Sequence, residues 1–103
     1  MTRVALTSAG VLAWLGAFGV AFAAGDVQVG KAKTGACAAC HGPDGAGVGS
    51  NPPLAGESEE QIVHALQDFK SGKRVNPVMK AMASMLSDQE TSNIGAYYAS
   101  LKK

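Results

Sequence analysis

The order of apolar and polar residues along the chain predicts helices. Between residues 62 and 69 apolar side chains recur near helical spacing, and residues 58–61 before them have the pattern of a capping box. We expect this helix to end at Gly72. A second capping box, at residues 87–90, precedes a segment whose apolar residues share one helical face. These residues are Ile94, Tyr97, Tyr98 and Leu101.

Two further helices complete the pattern. Residues 26–39 suit a first helix, with Asp26 as its N-cap. Pro77 can open a short helix through Met79 and Met82, because proline is tolerated in a first turn. The chain is therefore predicted to be all-α, with four short helices.

One long loop is predicted between the first two helices, at residues 42–56. Several glycines lie there together with Pro43, Pro52 and Pro53. Such a composition cannot sustain a helix or a regular strand. A loop of this length inside a small domain usually serves function or wraps a ligand.

The N-terminal segment has the pattern of a secretory signal peptide. After Arg3, residues 4–24 carry no charge, and Ala21-Phe22-Ala23 is a small-x-small cleavage pattern. We expect residues 1–23 to be removed and residues 24–103 to form one exported, periplasmic domain. The same uncharged run is long enough to cross a bilayer if it is not cut, so a membrane-anchored protein is the alternative.

Net charge and aromatic content limit which partners the protein can bind and how its core can be stabilised. The formal net charge is only +1, which argues against nucleic acid as a partner. Outside the signal peptide the aromatic residues are Phe69, Tyr97 and Tyr98. So small a chain with so few large side chains needs a covalent cross-link, a metal or a cofactor to be stable.

The sequence Cys37-Ala38-Ala39-Cys40-His41 is the C-x-x-C-H arrangement of c-type haem attachment. Residues three apart share a helix face, so both thiols can meet the two vinyl groups of one porphyrin edge, with His41 beneath the iron. The chain has no further cysteines for a zinc tetrahedron, and a helix is predicted where a thioredoxin-like site has a strand. An exported dithiol protein without haem is the competing interpretation.

The iron's other face has four candidate ligands: Met79, Met82, Met85 and His64. His64 lies among charged and amide side chains of the second helix, which indicates a surface histidine. Three methionines at a spacing of three also fit a helix face packed in a core. Spacing alone leaves the choice among them open.

From Ala24 onward the chain resembles the small bacterial class I cytochromes c. The resemblance rests on Gly30-Lys31, Cys37-Ala38-Ala39-Cys40-His41-Gly42, Asp44-Gly45, Pro52-Pro53-Leu54-Ala55-Gly56, the stretch from Phe69 to Met79, and the final helix from Ile94 to Leu101. It implies the class I cytochrome c fold, with four short helices wrapped around one covalently attached haem. It also implies a one-electron carrier rather than an enzyme.

The resemblance assigns roles to particular residues. The carbonyl of Pro52, or alternatively that of Pro53, is expected to accept the proton on the far nitrogen of His41. Met79, the first methionine after the Arg-x-Asn stretch, is expected to be the sixth iron ligand, with Met82 as the alternative. A glycine where the first and last helices cross is expected at Gly30.

The remaining expectations concern partners. Four basic residues are expected to form a modest positive rim near the haem: Lys33, Lys73, Arg74 and Lys80. Arg74 and Asn76 are alternatively expected to hydrogen-bond a haem propionate. The predicted partners are redox proteins, namely membrane cytochrome complexes, oxidases or periplasmic dehydrogenases, with no small-molecule substrate. Alternative functions are a cytochrome subunit of a periplasmic dehydrogenase and a haem-based sensor or gas binder with an open sixth site.

Overall fold

The computed structural model describes residues 24–102, so the predicted signal peptide lies outside the described residues. This part of the chain contains five helices: α1 (Val27–Lys33), α2 (Gly35–His41), α3 (Glu59–Ser71), α4 (Pro77–Ser84) and α5 (Asp88–Ala99). Apart from them it has one isolated antiparallel bridge, between Val48 and Asn51. The all-α prediction is confirmed. None of the five helices is long and apolar enough to cross a membrane.

Local capping starts and ends the longer helices where the sequence predicts. Ser58 Oγ accepts from the Gln61 amide at 3.1 Å, and Gln61 Oε1 accepts from the Ser58 amide at 2.8 Å. Ser87 and Glu90 form the same reciprocal pair before α5. Gly72 ends α3 in the left-handed conformation, with φ of 89°. Each of these caps satisfies backbone groups that the helix itself leaves unpaired.

The first predicted helix is two helices, which gives five in place of the expected four. Asp26 caps α1 as predicted, because its Oδ1 accepts from the Val29 amide at 3.0 Å. At Thr34 the hydroxyl donates to the carbonyl of Lys31 at 2.9 Å, and the Thr34 amide bonds the same oxygen at 3.2 Å. A threonine side chain that bonds the backbone locally competes with a continuing helix. The chain therefore breaks at Thr34 and starts again as α2.

The last helix organises the packing. Helix α5 packs against both α1 and α3, and α4 packs against α3. The buried cluster consists of Ile62, Ile94, Tyr97 and Tyr98. Helix α1 crosses α5 at the buried Gly30, as expected, where the two backbones touch.

The loop at residues 42–56 is fixed at both ends. The amides of Leu54 and Ala55 both donate to the carbonyl of Gly45, at 2.7 and 2.9 Å. The Gly56 amide donates to the carbonyl of Tyr98 at 2.9 Å, which ties the loop to the end of α5. Gly47 has φ of 92°, and a Cβ there would lie 3.0 Å from the Pro53 nitrogen, so the turn requires glycine. The loop is thus an ordered part of the fold.

Candidate haem site

Helix α2 carries both cysteines, and both are free thiols in the structure. Cys40 is exposed, whereas Cys37 is partly buried and packs against the aromatic cluster. Burial raises the pKa of the Cys37 thiol, and a hydrogen bond with Tyr98 acts in the opposite direction. The two thiols therefore lie in different surroundings, although they are only three residues apart.

His41 is the last residue of α2 and is buried. Its Nδ1 lies 2.7 Å from the carbonyl oxygen of Pro52. A carbonyl can only accept, so Nδ1 carries the proton and Nε2 keeps its lone pair for a metal. Of the two prolines that the resemblance left possible, Pro52 makes this hydrogen bond.

Asn51 supports the Pro52 segment, and the sequence reasoning did not single it out. Its Nδ2 donates to the carbonyl of Cys40 at 3.0 Å, which links the loop to the end of α2. Asn51 also forms two backbone hydrogen bonds with Val48, at 3.0 and 3.1 Å. The sequence signal was present, because asparagine before proline is typical of a turn.

Helix α4 presents the three candidate methionines differently. Met79 and Met82 are both partly buried, whereas Met85 caps the end of the helix and is 68% exposed. Met79 occupies the third position of the helix, where its amide donates to Asn76 Oδ1 at 3.0 Å. The backbone that carries Met79 is therefore held by the N-cap.

Asn76 and Arg74 have partners within the protein. Asn76 Oδ1 caps α4 by accepting from the amides of both Val78 and Met79 at 3.0 Å. The guanidinium carbon of Arg74 lies 4.4 Å from the centre of the Phe69 ring, in a cation–π contact. Contact of either side chain with a haem propionate stays a prediction.

Comparison with known proteins identifies the family. The family model described as cytochrome c matches residues 27–102. The chain belongs to the cytochrome c family. Members of this family carry covalently attached haem c with its iron, which is the cofactor of this chain. The predicted resemblance to small class I cytochromes c is confirmed, as is the fold.

Three similar proteins illustrate the relationship. Cytochrome c4 of Pseudomonas aeruginosa is 44% identical over 93 residues, which cover 89% of this chain and 46% of that protein. The crystal structure of reduced recombinant cytochrome c4 from Pseudomonas stutzeri aligns with a TM-score of 0.72 and 38% identity, over 77% of this chain and 47% of that one.

The third is the "as isolated" form of thiosulfate dehydrogenase from Marichromatium purpuratum. It aligns with a TM-score of 0.71 and 32% identity, over 97% of this chain and 25% of that one. This cytochrome c chain spans about half the length of the cytochromes c4 that it matches.

The residues of this cytochrome c fit haem c. Among the described residues, the only large side chains that are almost fully buried are Tyr98 and Ile94, so the polypeptide alone makes a thin core. Partly buried apolar residues pack around the cluster: Cys37, Leu54, Leu66, Leu86 and Leu101. With two thiols, an imidazole whose Nε2 is free, and partly buried thioethers, the donor set matches the attachment and ligation that haem c requires.

The other charged candidates are exposed or have partners within the protein. His64 is exposed on α3, as expected of a surface histidine. Lys33 Nζ lies 2.9 Å from Glu90 Oε2, so one member of the predicted basic rim is engaged in an ion pair. The hydrogen bond from Lys33, and after it the hydrogen bond from the Ser87 amide, lowers the pKa of Glu90 to about 2. Lys73, Arg74 and Lys80 are exposed.

Proposed function

We propose that this protein is an exported one-electron carrier, with haem attached through Cys37 and Cys40. Its iron is held by His41 and Met79. The observation that carries the proposal is the hydrogen bond between His41 Nδ1 and the Pro52 carbonyl. It orients the ring and makes Nε2 a stronger donor at the end of the helix that bears both thiols.

The chain's own residues would hold one coordination state through the redox cycle. When bound, haem c supplies the reversible one-electron change between ferric and ferrous iron. The Pro52 carbonyl fixes the imidazole from one side, and the Asn76 cap fixes the first turn of α4, which carries Met79. A thioether ligand stabilises the reduced state and closes the site that a gas binder would leave open. On this proposal the chain turns over no substrate itself.

The docking surface of the proposal extends from the last turn of α3 through α4. Residues 69–87 contain Lys70, Lys73, Arg74 and Lys80 and no acidic residue. Beside these charges, Val75 is 90% exposed and Val78 is 61% exposed. A basic surface with an apolar centre suits brief contact with an acidic redox partner, through a small interface with charge steering.

Export to the periplasm is part of the same proposal. Residues 1–23 carry the signal-peptide pattern, and cytochrome function outside the cytoplasm requires the chain to be translocated. Retention of that segment would give a membrane-anchored carrier with the same domain.

A second candidate is the electron-transfer subunit or domain of a dehydrogenase. The similarity to thiosulfate dehydrogenase, which extends over 97% of this chain, favours it. The chemistry at the haem would be the same in both candidates. They differ in whether the partner is bound permanently, and co-purification with a dehydrogenase under native expression would separate them.

The test is the absorption spectrum of protein made with a cytochrome maturation system. Low-spin ferrous bands with a weak ferric sulfur-to-iron band would support His and Met ligation, and Met79→Ala should abolish that band. Met85→Ala, at the exposed end of α4, is the matched control and should retain it. Loss of the band in Met82→Ala alone would move the ligand to Met82. A high-spin, carbon-monoxide-binding wild type would indicate a sensor, and absence of covalent haem would leave the dithiol alternative.

A further inference from the structure

The end of α2 is bonded to the loop at residues 42–56 through two backbone carbonyls. Asn51 Nδ2 donates to the carbonyl of Cys40 at 3.0 Å. The Gly47 amide donates to the carbonyl of His41 at 2.8 Å. The last carbonyls of a helix have no partner within the helix, so these hydrogen bonds satisfy groups that α2 leaves open. The backbones of one attachment cysteine and of the axial histidine are therefore held by the same loop.

Residues 47–51 form a closed turn between those two contacts. The backbones of Val48 and Asn51 exchange two hydrogen bonds, at 3.0 and 3.1 Å. Gly49, inside the turn, has φ of 59°, a conformation that favours glycine. Pro52 follows the turn directly, and its ring fixes its own φ. The position of the Pro52 carbonyl is therefore set largely by where Asn51 is held.

Two neighbouring residues of the loop contact two neighbouring residues of α2. Asn51 is bonded to Cys40. One residue later, the Pro52 carbonyl oxygen lies 2.7 Å from His41 Nδ1, at the short end of the usual range for N–H···O bonds. A pair of adjacent contacts fixes rotation as well as distance, whereas the Pro52 contact alone would leave the loop free to turn about it. Asn51 thus provides the second fixed point.

We infer that Asn51 is a positioning residue for the axial histidine: it anchors the loop to the Cys40 carbonyl and so sets the length of the hydrogen bond that His41 donates. This inference rests on the proposed ligation of iron by His41. A strong hydrogen bond from Nδ1 makes the imidazole a more basic ligand, which stabilises the ferric state and lowers the reduction potential. Loss of the Asn51 anchor should therefore lengthen that bond and raise the potential.

The exposure of Asn51 separates this role from a purely structural one. Because Asn51 and Cys40 are both exposed, water can hydrogen-bond the Cys40 carbonyl when the Asn51 amide is removed. The unfolding free energy should then change little. A variant of Asn51 should thus alter the Nδ1 proton of His41 and the reduction potential, while the stability of the domain stays close to that of wild type.

The experiment compares ¹⁵N-labelled ferrous holoprotein variants by NMR spectroscopy and by redox titration. Asn51→Ala should move the His41 Nδ1 proton resonance upfield, speed the exchange of that proton with solvent about fivefold, and raise the reduction potential. Asn51→Leu keeps roughly the shape of the side chain, without a donor or a charge, and should act in the same direction. Ser50→Ala is the matched control, because Ser50 is also exposed in the same turn, and it should behave as wild type.

The outcomes distinguish the role of Asn51 from the proposed function. Wild-type proton resonance, exchange rate and potential in both Asn51 variants, with an intact sulfur-to-iron band, would overturn the role of Asn51 and leave the proposed function standing. A changed potential with an unchanged His41 proton would do the same, since the effect would not pass through the histidine. Failure of both variants to hold haem would also contradict the inference, which expects little loss of stability. A wild type without covalent haem would overturn both.

Discussion

The α-carbon of Gly30 lies against the carbonyl oxygen of Asn93, so closely that a Cβ on the glycine would stand 1.9 Å from that oxygen. The Asn93 side chain strengthens the same crossing, because its Oδ1 accepts from the Asp26 amide at 2.8 Å. It also accepts from Gln89 Nε2 at 2.9 Å. The contact between α1 and α5 is therefore one of backbone on backbone, with the start of α1 tied to α5.

We expect Gly30→Ala to destabilise the protein by about 3 kcal/mol, because the methyl group would force α1 away from α5. Gly35→Ala is the control, since a Cβ there meets no atom within 4 Å. It should leave the unfolding free energy unchanged or raise it by about 0.5 kcal/mol through helix propensity. Urea denaturation of the two holoproteins measures both effects. Equal stabilities would contradict the close crossing.

Asn76→Ala should cost about 1 kcal/mol by removing the N-cap of α4. If Met79 is the iron ligand, the same change should weaken ligation, because the first turn that carries Met79 loses its acceptor. The ferric sulfur-to-iron band should then disappear at lower temperature than in wild type. Asn76→Asp keeps the capping oxygen and should retain the band. Loss of the band in both variants would point instead to a role of the amide nitrogen toward the haem.

Glu90→Gln should destabilise the protein near neutral pH and have progressively less effect in acid. The folded protein holds the pKa of Glu90 at about 2, below its ordinary value of 4.5, so the charged form is favoured in the folded state. That contribution is complete above about pH 4.5 and is lost as the pH falls toward 2. Glutamine keeps an acceptor for the Ser87 amide but removes the attraction to Lys33. Unfolding curves of wild type and Glu90→Gln across this pH range test whether their unfolding free energies become equal as the pH falls toward 2.

Reversing the charges of Lys73 and Lys80 together should slow oxidation of the ferrous protein by hexacyanoferrate, by about tenfold at low ionic strength. The same variant, in its ferric form, should be reduced faster than wild type by the cationic hexaammineruthenium(II) ion. Lys31→Glu, on α1, changes charge away from the proposed docking surface and should alter neither rate by more than about twofold. Stopped-flow kinetics at several salt concentrations measure the effect. Equal responses of the two sites would remove the basis for a localised docking surface.

Local capping made most helix boundaries predictable from the sequence. A capping box involves residues only three positions apart, so Ser58 and Ser87 could be identified without any tertiary information. The break at Thr34 was missed because threonine is compatible with a helix by propensity. Only its hydrogen bonds to Lys31 distinguish a break from a continuation.

Some residues of the candidate site could likewise be predicted from the sequence, and others could not. The attachment motif ending at His41 is contiguous, and its chemistry follows from residue types alone. Asn51 was missed because it meets Cys40 across eleven positions of a glycine-rich loop. The contact of Arg74 with Phe69 likewise depends on where the chain turns after α3, which residue spacing does not determine. Met79 and Met82 share one short helix, and local sequence does not separate them.

The hydrogen bond from the Gly56 amide to the Tyr98 carbonyl couples the loop at residues 42–56 to the last helix. The loop that Gly56 ends is the one whose Pro52 carbonyl holds His41. Fraying of the last turn of α5 would therefore release the loop and loosen the imidazole together. In hydrogen exchange, the amides of Leu54, Ala55 and Gly56 should share a single opening energy with the C-terminal turn of α5, as one cooperative unit. The orientation of the His41 imidazole toward the iron would then last only as long as the last turn of α5 stays folded.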